Sequence, residues 1–207
     1  IDPWSGGDGC VTVVDPTDSN TVYYSSQEGG IRRMDLRTRT SEYAGLKEEQ
    51  RKTARFNFIS PYFLSSHTHA LYLGAQHLLK SDDQGRSWKP ASPDLTAGKD
   101  KTRTALALSA VVESPIKAGL LCAGTDKGQF WMTRDGGTTW MEQTGLPAAY
   151  IRCIEPSRFR ESRVYAVLSG LNYDDFGTHV YKSDDYGKSW EKITANLPSE
   201  TAYVIKE

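Results

Sequence analysis

The sequence predicts an all-β chain folded as a β-propeller of four-stranded blades, about four blades plus the inner strand of a fifth. Three observations carry that expectation. The pattern S/T-x-D-x-G-x-S/T-W occurs three times, as SDDQGRSW (81–88), TRDGGTTW (133–140) and SDDYGKSW (183–190). Short runs rich in Val, Ile, Leu, Tyr and Phe precede each copy, as strands require. The unit recurs on an alignment of Pro16, Pro61, Pro115 and Pro156, a period of 41 to 54 residues. Four-strand units at that period are a propeller signature.

Taken in chain order, the first blade (8–45) holds VTVVDP (11–16), TVYYSS (21–26) and GGIRRMDLRT (29–38), with the box decayed. The second (54–92) starts at the β-rich run RFNFISP (55–61) and continues through LYLGAQHLLK (71–80) to its box. The third (104–144) contains LSAVVESP (108–115) and LLCAGTDKGQFWM (120–132). The fourth (149–196) contains IRCIEP (151–156), VYAVLSG (164–170) and THVYK (178–182). TAYVIKE (201–207) reads as the inner strand of a next blade or a ring closure. An open ring leaves unpaired edges, so residues 1–207 are expected to form one propeller domain or a segment of a larger one. Residues 46–55 permit a helix but lack an apolar face.

In each box the aspartate, Asp83, Asp135 or Asp185, accepts hydrogen bonds from its own turn. Gly85, Gly137 and Gly187 permit positive φ, and Trp88, Trp140 and Trp190 bury surface between blades. A carboxylate repeated at ring-related positions reads as structural. Asp184 aligns with Asp82 and Arg134, so it is not a required acid either.

Composition excludes several classes. The chain has 25 basic and 26 acidic residues, a net charge of −1, so nucleic acid is not an expected partner. No run spans a membrane. Cys10, Cys122 and Cys153 lie in apolar runs outside any C-x-x-C pair and read as small core residues. One disulfide among three would leave a thiol over. His67 and His69 share a strand-like alternation that suits a metal, but fall where sister units turn, and read as solvated. No cofactor or metal is expected.

The box resembles the Asp-box of BNR-repeat propellers, found in sialidases, sortilin-type (Vps10) receptors, xyloglucan-hydrolysing glycosidases and a photosystem assembly factor. The wider pattern, RFNFISP, ASPDLT (91–96), YDDF…THVYKSDDYGKSW (173–190) and TAYVIKE, is similar to bacterial sortilin-like proteins labelled glycosyl hydrolase BNR repeat. The resemblance covers essentially the whole chain and implies an extracytoplasmic place, with any signal peptide outside this sequence. SSQEGGIRRMD (25–35) is similar to the first-blade motif of the xyloglucan-hydrolysing family, where D-x-G-G carries a catalytic aspartate. Gln27 stands at that position and cannot act as a base, so that chemistry would pass to Glu28. The arginine triad of sialidases is not found.

Function is then expected on the face opposite the boxes. Ligand-binding candidates there are Gln27, Arg55, Asn57, Gln76, Tyr150, Tyr173 and Phe176, with His77, Lys127, Arg152 and the stretch Lys99 to Arg103 nearby. Glu28, Asp126, Asp174 and Asp175 are its acids. Glycoside hydrolysis would need two of them facing at roughly 5–10 Å. The longest loop, SGLNYDDFGTH (169–179), combines two rings with two carboxylates: an exposed insert, a sugar platform, or an incomplete calcium site. The expected function is a binding or scaffold propeller engaging a carbohydrate or polypeptide ligand. The alternative is a glycoside hydrolase domain, with residues supplied here or outside the chain.

Overall fold

The structure, a computed structural model, describes residues 8–97 and 106–207. Among these the strands form four four-stranded antiparallel sheets, each a meander in chain order. The first contains β1 (Thr12–Val14), β2 (Thr21–Ser26), β3 (Gly30–Asp35) and β4 (Thr40–Tyr43). One helical turn, α1 (Glu48–Arg51), follows with no buried residue. The second contains β5 (Tyr62–Leu64), β6 (Leu71–Gly74), β7 (Leu78–Ser81) and β8 (Lys89–Pro90). The third contains β9 (Leu108–Glu113), β10 (Leu121–Thr125), β11 (Phe130–Thr133) and β12 (Met141–Gln143). The fourth contains β13 (Tyr150–Pro156), β14 (Val164–Gly170), β15 (Asp175–Ser183) and β16 (Glu191–Lys192). This is the all-β partial propeller the repeats predict.

The core lies between sheets. Strand alternation sends successive side chains to opposite neighbours. Leu79 joins Tyr23 and Ile31 of the first sheet, while adjacent Leu78 joins Leu121 and Ala123 of the third. Phe130 and Met132 meet Ile151, Ala166 and Leu168 of the fourth. Each fully buried Leu or Ile contributes about 1.5–3 kcal/mol. Tyr62 Oη donates to the carbonyls of Val11 and Tyr23, both at 3.0 Å, and ties the second inner strand to the first sheet.

The boxes join the third and fourth strands of their sheets and share one geometry. Asp83 accepts the Ser81 hydroxyl at 2.8 Å, the Ser87 amide at 2.8 Å and the Ser87 hydroxyl at 2.5 Å. The Gly85 amide donates to Ser81 Oγ. Asp135 and Asp185 take the same four-bond pattern with Thr133, Gly137 and Thr139, and with Ser183, Gly187 and Ser189. The glycines have φ of 87°, 101° and 82°. A Cβ on Gly85 or Gly137 would also collide with the carbonyl of Ala44 or Ala91 in the preceding blade. Those carbonyls accept the indole N–H of Trp88 at 3.0 Å and Trp140 at 2.9 Å. Trp190 breaks the series. It packs edge-on to Phe130 at 5.1 Å, and its indole N–H has no partner among the described residues.

Several sequence expectations need correction. Residues 55–61 form no strand; the second inner strand begins at Tyr62. The prolines are not equivalent, because Pro16 and Pro115 follow their inner strands, Pro61 precedes one, and Pro156 ends one. The register marker is instead Asp15, Ser65, Ser114 and Ser157, whose side chains accept amides two or three residues on. A short polar side chain caps such a turn, and a proline cannot. The loop at 169–179 is mostly strand, since β14 runs to Gly170 and β15 starts at Asp175. Residues 201–207 are paired with none of the four described sheets. His67 and His69 are exposed at a turn, as expected, and His67 Nε2–H donates to the Ser114 carbonyl at 2.9 Å.

Two outcomes follow for the boxes. Gly85→Ala is expected to destabilise the chain by about 1–3 kcal/mol, read as the shift of its urea or thermal midpoint. Hydrogen bonds from Ser87 and Ser189 hold the Asp83 and Asp185 carboxyls down to about 2, and Thr139 holds Asp135 well below the usual range. Their stabilisation is complete above the unfolded value of about 3.9 and is lost as pH falls through about 2. Urea midpoints measured across that window should fall further for the wild type than for Asp83→Asn/Asp185→Asn.

Candidate functional site

An antiparallel meander puts the β2–β3, β6–β7, β10–β11 and β14–β15 turns on one face, with the crossings between sheets. The boxes lie on the other. On the first face the second and third sheets are laced by internal bonds. Gln76 Oε1 accepts the Arg55 amide at 2.8 Å, and its Nε2 donates to the Thr53 carbonyl at 3.0 Å. The Arg55 guanidinium reaches Asp94 at 2.8 Å, the Thr96 hydroxyl and the Leu106 carbonyl. Asn57 Nδ2 donates to the Leu108 carbonyl at 3.0 Å. These three side chains fasten crossing segments to the blades. Gln27 Oε1 accepts the Asp8 amide, and Glu28 is exposed in a turn at φ 54°. Both lie in the first sheet. Lys99 to Arg103 lie outside the described residues.

The third and fourth sheets present a different surface. The β14–β15 connection is a 3-10 turn, Leu171–Tyr173, closed by Asp174 in the left-handed region. The turn projects Tyr173, and β15 carries Phe176 beside it; they are 56% and 62% exposed. Lys127, from the β10–β11 turn, lies 5.9 Å over the Tyr173 ring. Arg152 is the extra residue of a bulge in β13, between Ile151 and Cys153. Its guanidinium stacks 4.2 Å over Tyr203 and 6.0 Å from Tyr150. Tyr150 is half-buried; burial raises its phenol pKa, opposed by Arg152 and reinforced by Asp126. The sequence singled out Tyr150, Tyr173 and Phe176 here. It gave Tyr203 only as part of an inner strand, since a ring 51 positions from Arg152 has no local signal.

The acids of this surface differ in state. Asp126 is 9% exposed, and both its oxygens accept the Leu106 amide at 3.2 Å. Burial raises its carboxyl pKa despite that bond. Asp175 accepts the Gly177 amide at 2.9 Å and bonds His179 Nε2 at 2.7 Å; these two partners hold it below the usual range. Asp174 is exposed. Exposed rings paired with cations, beside Asp126 and Asp175 already engaged by amides, suit recognition better than proton transfer. Among the described residues no cluster of three His, Cys, Asp or Glu is placed to hold a metal, and no helix is long and apolar enough to cross a membrane. Cys122 is buried and its thiol is pushed up to about 12.

The architecture is that of a β-propeller protein, and solved structures agree. A GH74 xyloglucanase from Xanthomonas campestris superposes with a TM-score of 0.64 at 18% identity, over 89% of this chain and 30% of that one. YCF48 bound to D1 peptide superposes at 0.59 and 15% identity, over 89% of this chain and 52% of that one. The extracellular domain of a putative hybrid two-component system from Bacteroides thetaiotaomicron does so at 0.64 and 12%, over 95% and 24%. The chain thus spans from a quarter to about half the length of these structures. At such identities the likeness establishes the fold. No family model and no curated protein matches the chain.

Gln76 and Tyr173 should separate in a stability assay. Gln76→Leu strands two backbone partners and is expected to cost about 1–3 kcal/mol by urea unfolding. Tyr173→Ala should stay within about 0.5 kcal/mol of the wild type.

Proposed function

We propose that this chain is part of an Asp-box (BNR-repeat) propeller of the bacterial sortilin-like kind, and that it binds a glycan or polypeptide without cleaving it. The carrying observation is the exposure of Tyr173, with Lys127 over its ring, and of Phe176 on the adjoining strand, while Arg152 stacks on Tyr203. Exposed rings offer stacking or apolar contact at small entropic cost, and adjacent cations offer directed hydrogen bonds. Similar folds support both ligand classes: a xyloglucanase acts on a glycan, and YCF48 is bound to a peptide. We place the chain outside the cytoplasm, where the extracellular domain among its structural neighbours resides.

The reading includes a larger ring, with 201–207 as the inner strand of a fifth blade. Glu207 accepts the Ser157 hydroxyl at 2.5 Å, as Glu113 of the third sheet accepts the Ser65 hydroxyl at 2.5 Å. Glu207 also accepts the Arg158 amide and Tyr165 Oη, and Lys206 pairs with Glu155 at 2.7 Å.

A glycan array followed by calorimetry on its hits tests the binding site, with a peptide array run in parallel. Tyr173→Ala and Phe176→Ala are each expected to weaken binding about tenfold or more. Undiminished binding by both variants would remove the face from consideration. The hydrolase reading draws on the raised pKa of Asp126, a property of general acids. Incubation with xyloglucan should release no new reducing ends; release that disappears in Asp126→Asn would favour the enzyme instead.

A further inference from the structure

A cleft lies away from that face, at the outer rim between the third and fourth sheets. It holds about 570 Å³ and is lined by Met132, Arg134, Met141, Glu142 and Gln143 of the third sheet and by Tyr186 and Lys188 of the fourth. Met132 and Met141 are a cross-strand pair on β11 and β12. The same position in the other sheets is charged: Arg33 with Glu42, Lys80 with Lys89, and Lys182 with Glu191. There the ions satisfy one another. Arg33 bonds Glu42 and reaches Gln84, Asp82 holds Lys80 and Lys89, and Lys182 pairs with Glu191 at 3.0 Å. The third sheet replaces such ions with two thioethers, Met132 buried in the core between sheets and Met141 47% exposed at the rim. The exposed thioether is a soft group suited to apolar ligands of varied shape.

The cations around the thioethers are uncommitted. Arg134 stacks 5.0 Å over Tyr186, and among the described residues neither Arg134 nor Lys188 pairs with a carboxylate. Three consecutive residues of β12, Met141 to Gln143, line the cleft, and β12 is the outermost strand of its sheet. Among the described residues its second edge pairs with no strand, so it can accept main-chain pairing.

We propose that this cleft binds an extended peptide that pairs along β12, lays one apolar side chain on the exposed Met141 above the buried Met132, and sets flanking carboxylates on Arg134 and Lys188. The site is separate from the loop face, so neither reading depends on the other.

The chain has three methionines, Met34, Met132 and Met141, so methyl-labelled methionine gives three NMR signals, with Met34 as an internal reference. The probes are three acetylated, amidated pentapeptides: Glu-Glu-Leu-Glu-Glu, Glu-Glu-Ser-Glu-Glu and Lys-Lys-Leu-Lys-Lys. The acidic leucine peptide is expected to shift the Met141 methyl, and the underlying Met132 methyl less, while Met34 stays fixed. Arg134→Glu and Lys188→Glu should each weaken that binding about tenfold, with the unmoved Met34 signal reporting an intact fold. No shift at millimolar peptide, equal shifts from the serine or lysine peptide, or binding indifferent to both reversals would overturn the proposal.

Discussion

The structure depends on one carboxylate arrangement made three times. Asp83, Asp135 and Asp185 each gather two hydroxyls and an amide of their own turn, at 2.5–2.9 Å. This closes a hairpin that otherwise contains little apolar surface. In the second and third sheets the closed turn also presses its glycine and indole onto a carbonyl of the preceding sheet. Local folding and blade-to-blade contact are thereby one event. Sheets of four short strands are marginal alone; their stability comes from apolar layers between neighbours, and the boxes fix how those layers meet. The acidic pair at 184–185 separates accordingly. Asp185 belongs to the turn, while Asp184 accepts from Arg163 at 2.6 Å and Arg160 lies 3.6 Å away.

Much of this was legible in the sequence because the box confines its signal to eight residues. Asp, Gly and Trp at fixed spacing each answer a local demand: an acceptor, a positive φ, an apolar plate. The first sheet shows the limit. It lacks a box, and Asp35 instead caps its turn through the Arg37 and Thr38 amides while Arg37 pairs with Asp18. The inner-strand register was misread because prolines are conspicuous and capping serines are not. Pro61 and Pro156 sit at opposite ends of their strands, whereas Ser65, Ser114 and Ser157 occupy one place.

The candidate site was legible only in part. Tyr173 and Phe176 stand out as rings in a polar stretch. The internal duties of Arg55, Asn57 and Gln76 were not visible, because their partners lie 21 to 51 residues away. The rim cleft was hidden for a similar reason. Met132 and Met141 become a pair only through strand register, and their significance emerges only against the charged pairs of the sister sheets. Repeated positions build the blades, and the departures from repetition shape the surfaces proposed here to meet ligands.

The central claim is that the boxes are structural locks rather than surface turns that happen to recur. Residue-resolved hydrogen exchange tests it most directly, at the amides of Gly85, Gly137 and Gly187, which donate to Ser81, Thr133 and Ser183, and of Ser87, Thr139 and Ser189, which donate to the aspartates. The account predicts that these six amides exchange as slowly as the buried strands β6, β10 and β14, and lose protection together with them in sub-denaturing urea. Exchange near the rate of an unstructured loop, with those strands still protected, would contradict it.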